Sequence, residues 1–193
     1  SSFQEASYEA DLAFNDPNIY VEKYFENPKH IEIQVIADEH GNCIHLGERD
    51  CSSQRRKQKV IEETPSPVID QDKRKNIGSK VTQALKQLEY TNAGTVEFLY
   101  ENGKFYFMEM NTRIQVEHPI TEITTSTDLI KEQIQVAAGQ KLRWKQNQIR
   151  WNNHAIECRI NAEDPNKNFM PSPGTIHNIV FPSGPGIRVD SGI

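Results

Sequence analysis

A row of side chains that could bind ions and move protons lies within the stretch FYFMEMNTRIQVEHP, residues 105–119. Every second residue from 109 to 117 is a carboxylate, an amide or a guanidinium. Extended backbone places alternate side chains on one face, so an extended chain would gather these groups on a single surface. This mixture is unusual for a solvated edge strand, which is the alternative interpretation, and it favours a functional site. The five residues are Glu109, Asn111, Arg113, Gln115 and Glu117.

The start of the row is rich in hard oxygen ligands. Glu109 and Asn111, with Glu97 on the preceding predicted strand, supply two carboxylates and an amide. Magnesium and manganese take one or two protein carboxylates and complete their shells with water and phosphate oxygens. The pattern predicts a divalent-cation site, and a satisfied surface array is an equal alternative.

The rest of the row suits an anion and a proton transfer. A guanidinium fork matches a planar oxyanion, so Arg113 with Gln115 could hold bicarbonate or a carboxylate. Glu117 at the end of the row could act as a general base.

A hairpin must bring Glu97 to this row. Residues 94–100 and 104–110 are predicted strands, and a two-residue turn between them would place Glu97 opposite Met108, with Glu97 and Glu109 on opposite faces. A three-residue loop with a bulge would put both carboxylates on one face. If both are ligands, the sequence predicts a loop of odd length.

Helices are predicted where capping residues precede apolar residues at helical spacing. The first begins with a capping box at Ser2 and runs towards Phe14, and the second follows Asp70. A third is predicted to be capped by Ser126 or Thr127.

Strands are predicted where apolar residues alternate with polar ones. These segments are 19–25, 31–37, 43–46 and 155–160, and the middle two form a β-hairpin. The charged run 48–59 has no clean period and is predicted to be a functional loop. Its basic part, RRKQK, is flanked by acidic residues, which favours phosphate binding in a cleft over a solvated loop or a nucleic-acid contact.

Composition restricts the class of protein. A net charge of −5 argues against a dedicated nucleic-acid binder or an anionic-membrane surface protein. Three cysteines without a C-x-x-C pair suit a reducing compartment and argue against a disulfide framework or a cysteine zinc site. Neither a signal peptide nor a membrane-spanning apolar run is expected, and both ends suggest a piece of a larger protein.

Three blocks resemble biotin carboxylase, the ATP-grasp component of acetyl-CoA carboxylase and of its pyruvate and propionyl-CoA relatives. They are GERDCSSQRRKQK, GTVEFLYENGKFYFMEMNTRIQVEHPITE and HAIECRINAEDP. The resemblance implies an α+β fold, with a partial ATP-grasp domain over residues 1–143 that lacks the glycine-rich phosphate lid. The partial ATP-grasp domain is expected to be an antiparallel sheet with flanking helices. It leads into the start of a β-rich biotin carboxylase C-terminal domain over residues 144–193.

The resemblance also implies roles for individual residues. Lys59, Arg113, Gln115 and Val116 match the bicarbonate cradle, Glu117 matches the base, and Arg159 matches the arginine near the biotin ureido oxygen. Glu97, Glu109 and Asn111 match the metal ligands. The family commonly has leucine at position 25 and histidine at position 57, where this chain has Phe25 and Lys57. Nucleotide-contacting positions, besides Glu97, are matched by Glu22, Lys23, Tyr24, Phe25, His30, Gln54, Lys57 and Leu99.

The implied activity is ATP-dependent carboxylation of biotin on a biotin carboxyl carrier protein, using bicarbonate through carboxyphosphate. This is the first half-reaction of acetyl-CoA carboxylase in fatty acid synthesis. The alternatives are a pyruvate or propionyl-CoA carboxylase domain, another ATP-grasp ligase acting on a carboxylate, or an inactive isolated nucleotide-binding fragment.

The resemblance also implies cofactors and partners. The cofactors are ATP and Mg²⁺ or Mn²⁺, with biotin as the carrier-linked substrate. The partners are the carrier protein, a carboxyltransferase and a second copy in a homodimer, with neither nucleic acid nor membrane. The expected location is the cytoplasm, or a plastid or mitochondrion.

Overall fold

Six strands form one sheet in the order β5-β4-β1-β2-β3-β6. The computed structural model describes all of residues 1–193. The pairs β5–β4, β4–β1, β1–β2 and β2–β3 are antiparallel. The strands are β1 Lys29–Ala37, β2 Cys43–Arg55, β3 Gln58–Thr64, β4 Asn92–Glu101, β5 Lys104–Asn111 and β6 Ala155–Cys158.

Four α-helices accompany the sheet, and none of them is long and apolar enough to cross a membrane. In α2, Ile77, Val81 and Leu85 pack against buried residues of β1 and β4 that include Ile33 and Val35. Burying such a side chain stabilises the fold by about 1.5–3 kcal/mol. The helices are α1 Ser2–Phe14, α2 Gln71–Gln87, α3 His118–Thr125 and α4 Leu129–Ala137.

The chain divides into two compact units, Ser1–Glu157 and Cys158–Ile193. The first contains the helices and nearly all of the large sheet. The second contains a two-stranded ladder of β7 Glu163–Asp164 and β8 Met170–Pro171. The domain boundary expected after residue 143 stays a prediction.

Several predicted elements are present as expected. The hairpin of β1 and β2 forms, and β4 and β5 lie within one residue or two of their predicted bounds. Asp70 caps α2, since its side chain accepts a hydrogen bond from the backbone N–H of Lys73.

The loop predicted over residues 48–59 is wrong. β2 continues to Arg55 and β3 begins at Gln58, so only Arg56 and Lys57 form the turn. Both have positive φ, 53° and 64°, as a tight two-residue hairpin turn requires. Apolar alternation is absent here because β2 is buried on both faces as far as Cys51, and Glu48 and Arg49 are paired with charged residues inside the protein.

The strand predicted over residues 19–25 is also wrong. Tyr20, Val21 and Tyr24 are more than four-fifths exposed, and the segment pairs with no strand. Without a neighbouring strand, strand-forming residues gain neither hydrogen bonds nor burial.

The N-terminal caps of two helices differ from prediction. Ser1 rather than Ser2 precedes α1, and Asp128 caps α4 by accepting from the N–H of Lys131. Ser126, with φ of 55°, instead ends α3, a helix that the sequence did not predict. α3 is rich in isoleucine and threonine, which favour strands, so tertiary burial outweighs propensity here.

The register of β4 and β5 decides where the two carboxylates point. Glu101 pairs with Lys104 across a two-residue turn at Asn102 and Gly103, so the predicted odd loop is wrong. The register then shifts, because Phe98 pairs with Phe107 whereas Glu97 pairs with Glu109. A β-bulge at Met108 therefore supplies the extra residue that the loop was expected to supply. The consequence is the expected one, since Glu97 and Glu109 lie directly opposite each other.

Candidate active site

A buried polar network covers the face of the sheet opposite α2. Ile33 and Val35 point into the apolar core with α2, so the alternate residues Glu32 and Gln34 point the other way. Both are fully buried. Buried polar groups are costly unless they are hydrogen-bonded, and the neighbouring strands supply the partners.

Glu97 lies at the centre of this network. Its carboxylate accepts from His30 Nε2 at 2.5 Å, Gln115 Nε2 at 2.7 Å, Asn111 Nδ2 at 3.2 Å and Lys59 Nζ at 3.3 Å. Burial acts to raise the pKa of Glu97, but the His30 hydrogen bond, the Lys59 charge and the Gln115 hydrogen bond together lower it to about 2. Glu97 is therefore ionised at neutral pH.

Lys59 joins three carboxylates. Its ammonium lies 2.5 Å from Glu32 Oε2, 2.8 Å from Glu117 Oε1 and 3.3 Å from Glu97 Oε1. Burial acts to lower the pKa of Lys59, but the Glu32 charge is the largest of several contributions that raise it above the ordinary value. The pKa of Glu117 is lowered although burial opposes this, because Arg49 and Lys59 favour the carboxylate. The site thus holds a fixed cation beside an ionised carboxylate.

The predicted metal ligands are neighbours. The amide nitrogen of Asn111 donates to Glu97 Oε1 at 3.2 Å and to Glu109 Oε1 at 3.0 Å. The Asn111 amide nitrogen thus lies between two carboxylates, where a cation would be attracted. Rotating the amide by 180° would place its oxygen there, as a ligand for that cation. This donor set of two carboxylates and an amide fits a hard divalent cation.

A second group of possible ligands shares Glu97. Ligand atoms of His30, Glu32 and Glu97 all lie within 4.8 Å of one another. The Lys59 ammonium already contacts the carboxylates of Glu32 and Glu97, so a positive charge from the protein itself occupies this position.

Arg113, Gln115, Val116 and Glu117 reach the site along an irregular segment rather than a strand. β5 ends at Asn111, so strand alternation accounts for only the first two residues of the polar row. Gln115 and Glu117 are buried, whereas Arg113 and Val116 are exposed. The guanidinium of Arg113 donates to Asn111 Oδ1 at 3.0 Å, which keeps it beside the carboxylate pair.

Among the predicted nucleotide contacts, His30, Gln54 and Leu99 lie close to Glu97. Gln54 Nε2 donates to His30 Nδ1 at 2.8 Å, so the other ring nitrogen carries the proton that is shared with Glu97. Leu99 pairs with His30 across the β4–β1 ladder and is half-buried.

The segment from Glu22 to Phe25 is irregular and mostly exposed. It is held to β5 by Lys23, whose Nζ donates to Tyr106 Oη at 3.0 Å, and by Phe25, whose ring centroid lies 4.7 Å from that of Tyr106. Lys57 is exposed at the β2–β3 turn. Arg159 lies in the second unit, directly after the end of β6, and is half-buried.

Sequence reasoning missed Glu32 and Arg49. The alternation of β1 identified its apolar face but did not show that the opposite face is covered as well. Arg49 was assigned to a loop, and its only sequence signal was an arginine between two acidic residues.

Comparison with known proteins provides the context for this geometry. Residues 1–145 match the family described as carbamoyl-phosphate synthase L chain, ATP binding domain, and residues 157–193 match the biotin carboxylase C-terminal domain. A biotin carboxylase from Allochromatium vinosum is 58% identical over 185 residues, which cover 96% of this chain and 41% of the relative. A pyruvate carboxylase subunit from Methanothermobacter thermautotrophicus is 60% identical over 184 residues, which cover 95% and 38%. The chain thus spans about two fifths of the length of these relatives.

Solved structures show the same similarity. The biotin carboxylase domain of a thermophilic 2-oxoglutarate carboxylase, bound to bicarbonate, superposes with a TM-score of 0.94 at 53% identity, over 97% of this chain and 42% of that one. The corresponding domain dimer from Hydrogenobacter thermophilus, in complex with MgADP, ADP and bicarbonate, has a TM-score of 0.87 at 54% identity, with the same coverage. These matches confirm the resemblance and the predicted α+β, ATP-grasp fold class. The chain therefore belongs to the biotin carboxylase family, and its residues 1–145 form the part described as the ATP binding domain.

Proposed function

We propose that the protein containing this chain carboxylates biotin on a carrier protein, using ATP and bicarbonate. The observation that carries the proposal is the connected group of side chains around Glu97. Lys59 and Gln115 donate to Glu97, Lys59 also donates to Glu117, and Arg113 donates to Asn111, which bridges Glu97 and Glu109. Similarity to structures that hold bicarbonate and MgADP supports it.

The phosphate end of ATP belongs beside Glu97, Glu109 and Asn111. These residues would hold Mg²⁺ or Mn²⁺, which when bound neutralises phosphate charge and favours attack on the terminal phosphorus. His30, Gln54 and Leu99 line the adjacent face of the sheet, and the segment from Glu22 to Phe25 is the proposed adenine contact. Lys57 at the β2–β3 turn is proposed to contact the nucleotide as well.

Bicarbonate is proposed to bind between Arg113 and Lys59. The guanidinium fork offers two parallel donors to a planar oxyanion, and Gln115 Nε2 and the Val116 backbone offer more. Arg113 is exposed and donates only to the backbone oxygen of Ile114 and to Asn111 Oδ1, so its side chain can rotate to bind the anion.

Glu117 is proposed to take the bicarbonate proton. Its lowered pKa keeps it ionised at neutral pH, as a base must be before it accepts a proton. The Lys59 ammonium, 2.8 Å away, balances the charge that remains. Attack of bicarbonate on the terminal phosphorus would release ADP and form carboxyphosphate, which would break down to carbon dioxide and phosphate. The phosphate would take the N1 proton of biotin and carbon dioxide would add to N1, with Arg159 stabilising the enolate oxygen of the ureido group.

Acetyl-CoA is the proposed final acceptor, which would place the reaction in fatty acid synthesis, and pyruvate is the second candidate. Acetyl-CoA follows from the resemblance to the biotin carboxylase component of acetyl-CoA carboxylase, and pyruvate is supported by the relative described as a pyruvate carboxylase subunit. Comparing carboxylation of acetyl-CoA and pyruvate by the full-length protein, with its carrier protein and carboxyltransferase, tests this choice. The full-length protein is the natural protein that contains this chain.

A homodimer and a location in the cytoplasm, or in a plastid or mitochondrion, are also proposed. The dimeric 2-oxoglutarate carboxylase domain supports the first, and the three free cysteines support a reducing compartment.

Replacing Arg113 with alanine in the full-length protein tests the central claim. Bicarbonate-dependent ATP cleavage should fall by at least about a hundredfold, because an anion-binding fork is lost, while the Kd for MgATP should change by less than about threefold. Loss of nucleotide binding instead would contradict the role of Arg113. Absence of biotin-dependent ATP cleavage in the unaltered protein would refute the function itself.

A further inference from the structure

Arg49 is fully buried, and every one of its N–H groups has an acceptor. A guanidinium has five such donors and no acceptor. Nε donates to Glu32 at 2.5 Å, and the two terminal nitrogens donate to side-chain oxygens on several other parts of the fold. These acceptors are Gln34 at 2.7 Å, Thr121 and Gln115 at 3.0 Å each, and Thr95 at 3.3 Å.

The bonds from Arg49 determine which way the amide of Gln115 faces. Arg49 only donates, so the amide oxygen of Gln115 must point at it. The amide nitrogen then points the other way, to Glu97 Oε1 at 2.7 Å. An anion binds to hydrogen-bond donors, and this orientation of the Gln115 amide turns its N–H₂ group towards the site.

The same guanidinium joins the irregular part of the site to the sheet. Gln115 lies in the irregular segment between β5 and α3, and Thr121 lies on α3. Glu32, on β1, receives Arg49 on one oxygen and Lys59 on the other. Arg49 thus sets the positions of Gln115 and, through Glu32, of Lys59.

We propose that Arg49 is a positioning residue for bicarbonate, which orients the Gln115 amide and Lys59 without touching the substrate. This role rests on the proposed function. Arg49 donates to none of Glu97, Glu109 and Asn111, and it reaches Glu97 only through the Gln115 amide and Lys59. Nucleotide and metal binding should therefore depend on it less than bicarbonate binding does.

The test compares Arg49→Lys with Arg74→Lys in the full-length protein. Arg74 is also buried and forks onto buried Glu48 with two 2.6 Å hydrogen bonds. Glu48 precedes Arg49 on β2 and faces the opposite side of the sheet, so the control loses a similar buried contact away from the site. Arg49→Lys should raise the KM for bicarbonate about 10- to 100-fold, and Arg74→Lys by less than about threefold. The Kd for MgATP should stay within about threefold for both.

A double variant separates positioning from general loss of structure. In a Gln115→Ala background, adding Arg49→Lys should raise the bicarbonate KM by a smaller factor than it does in the unaltered protein, because Arg49 then has no amide to orient and acts only through Glu32 on Lys59. Full additivity would overturn the proposal. An equal rise of the bicarbonate KM in Arg74→Lys would overturn it too.

If Arg49→Lys does not fold, Thr121→Val provides the measurement. It removes one acceptor of the guanidinium, retains the charge, and should raise the same KM by a smaller factor, whereas no change would overturn the proposal. Lack of bicarbonate-dependent ATP cleavage in the unaltered protein refutes the proposed function, and this role with it. Bicarbonate dependence with an unchanged KM in Arg49→Lys refutes the positioning role alone.

Discussion

Replacing Lys59 with methionine should destabilise the protein strongly and in a pH-dependent way. Its ammonium contacts Glu32, Glu97 and Glu117, whose side chains are 0%, 6% and 2% exposed. Removing one partner of a buried ion pair typically costs about 3–5 kcal/mol, because the remaining charge stays buried. Since total stabilities are about 5–15 kcal/mol, this is a large fraction of the free energy of unfolding.

The pH dependence follows from the carboxylates. The folded pKa of Glu97, about 2, lies below its ordinary value of 4.5, so this group stabilises the fold above pH 4.5 and the contribution is lost as the pH falls towards 2. Without Lys59 the pKa values of Glu97 and Glu117 should rise, since a cation that both of them contact is gone. Their protonation then relieves the repulsion in the variant at moderately acid pH. The difference in stability between the two proteins should therefore be greatest near pH 7 and smaller near about pH 5.

Equilibrium urea unfolding of the chain, followed by tryptophan fluorescence, measures this difference. Trp144 and Trp151 both pack on the core of the first unit, so the signal reports on the unit that contains the site. Lys73→Met is the matched control, because Lys73 forms an exposed ion pair with Asp70, and such pairs contribute little to stability. A loss of less than about 1 kcal/mol in Lys59→Met, or a difference that does not shrink near pH 5, would refute the reasoning.

Substitutions at two positions test the packing and the capping of α2. Gly78→Ala should destabilise by about 1–3 kcal/mol in urea unfolding, although alanine is the better helix former by about 1 kcal/mol, because the new Cβ would lie 2.5 Å from ring atoms of His45. A stabilised variant would show that the ring moves aside freely. Asp70→Ala should lower the urea midpoint, since it removes the acceptor for the Lys73 N–H, whereas Asp70→Asn should recover most of the loss in the same assay. Equal losses in both variants would contradict a capping role.

The sequence alone was sufficient for local features that follow from periodicity and capping. The stripe of Ile77, Val81 and Leu85 predicted α2, and the β1–β2 hairpin followed from alternation, because local spacing largely determines which face of an element is apolar. The polar row likewise identified residues that the structure brings to one site. The resemblance assigned roles to them, which stay proposals.

Tertiary structure decided the features that depend on neighbours distant in sequence. Residues 19–25 have strand-forming side chains but no strand to pair with, and α3 is a helix because burial outweighs the preferences of its residues. β2 could not be recognised across its charged half, because the partners that make Arg49 and Glu48 acceptable inside the protein come from other elements.

The β4–β5 hairpin shows both what the sequence determined and what the tertiary structure decided. Parity in the sequence required one extra residue between Glu97 and Glu109 if both were to share a face. It did not specify where that residue would be, and the loop was the wrong choice. A bulge at Met108 and a two-residue turn satisfy the same parity. Packing of the paired strands selects between them, because the spacing of Glu97 and Glu109 is the same for an odd loop and for a bulge.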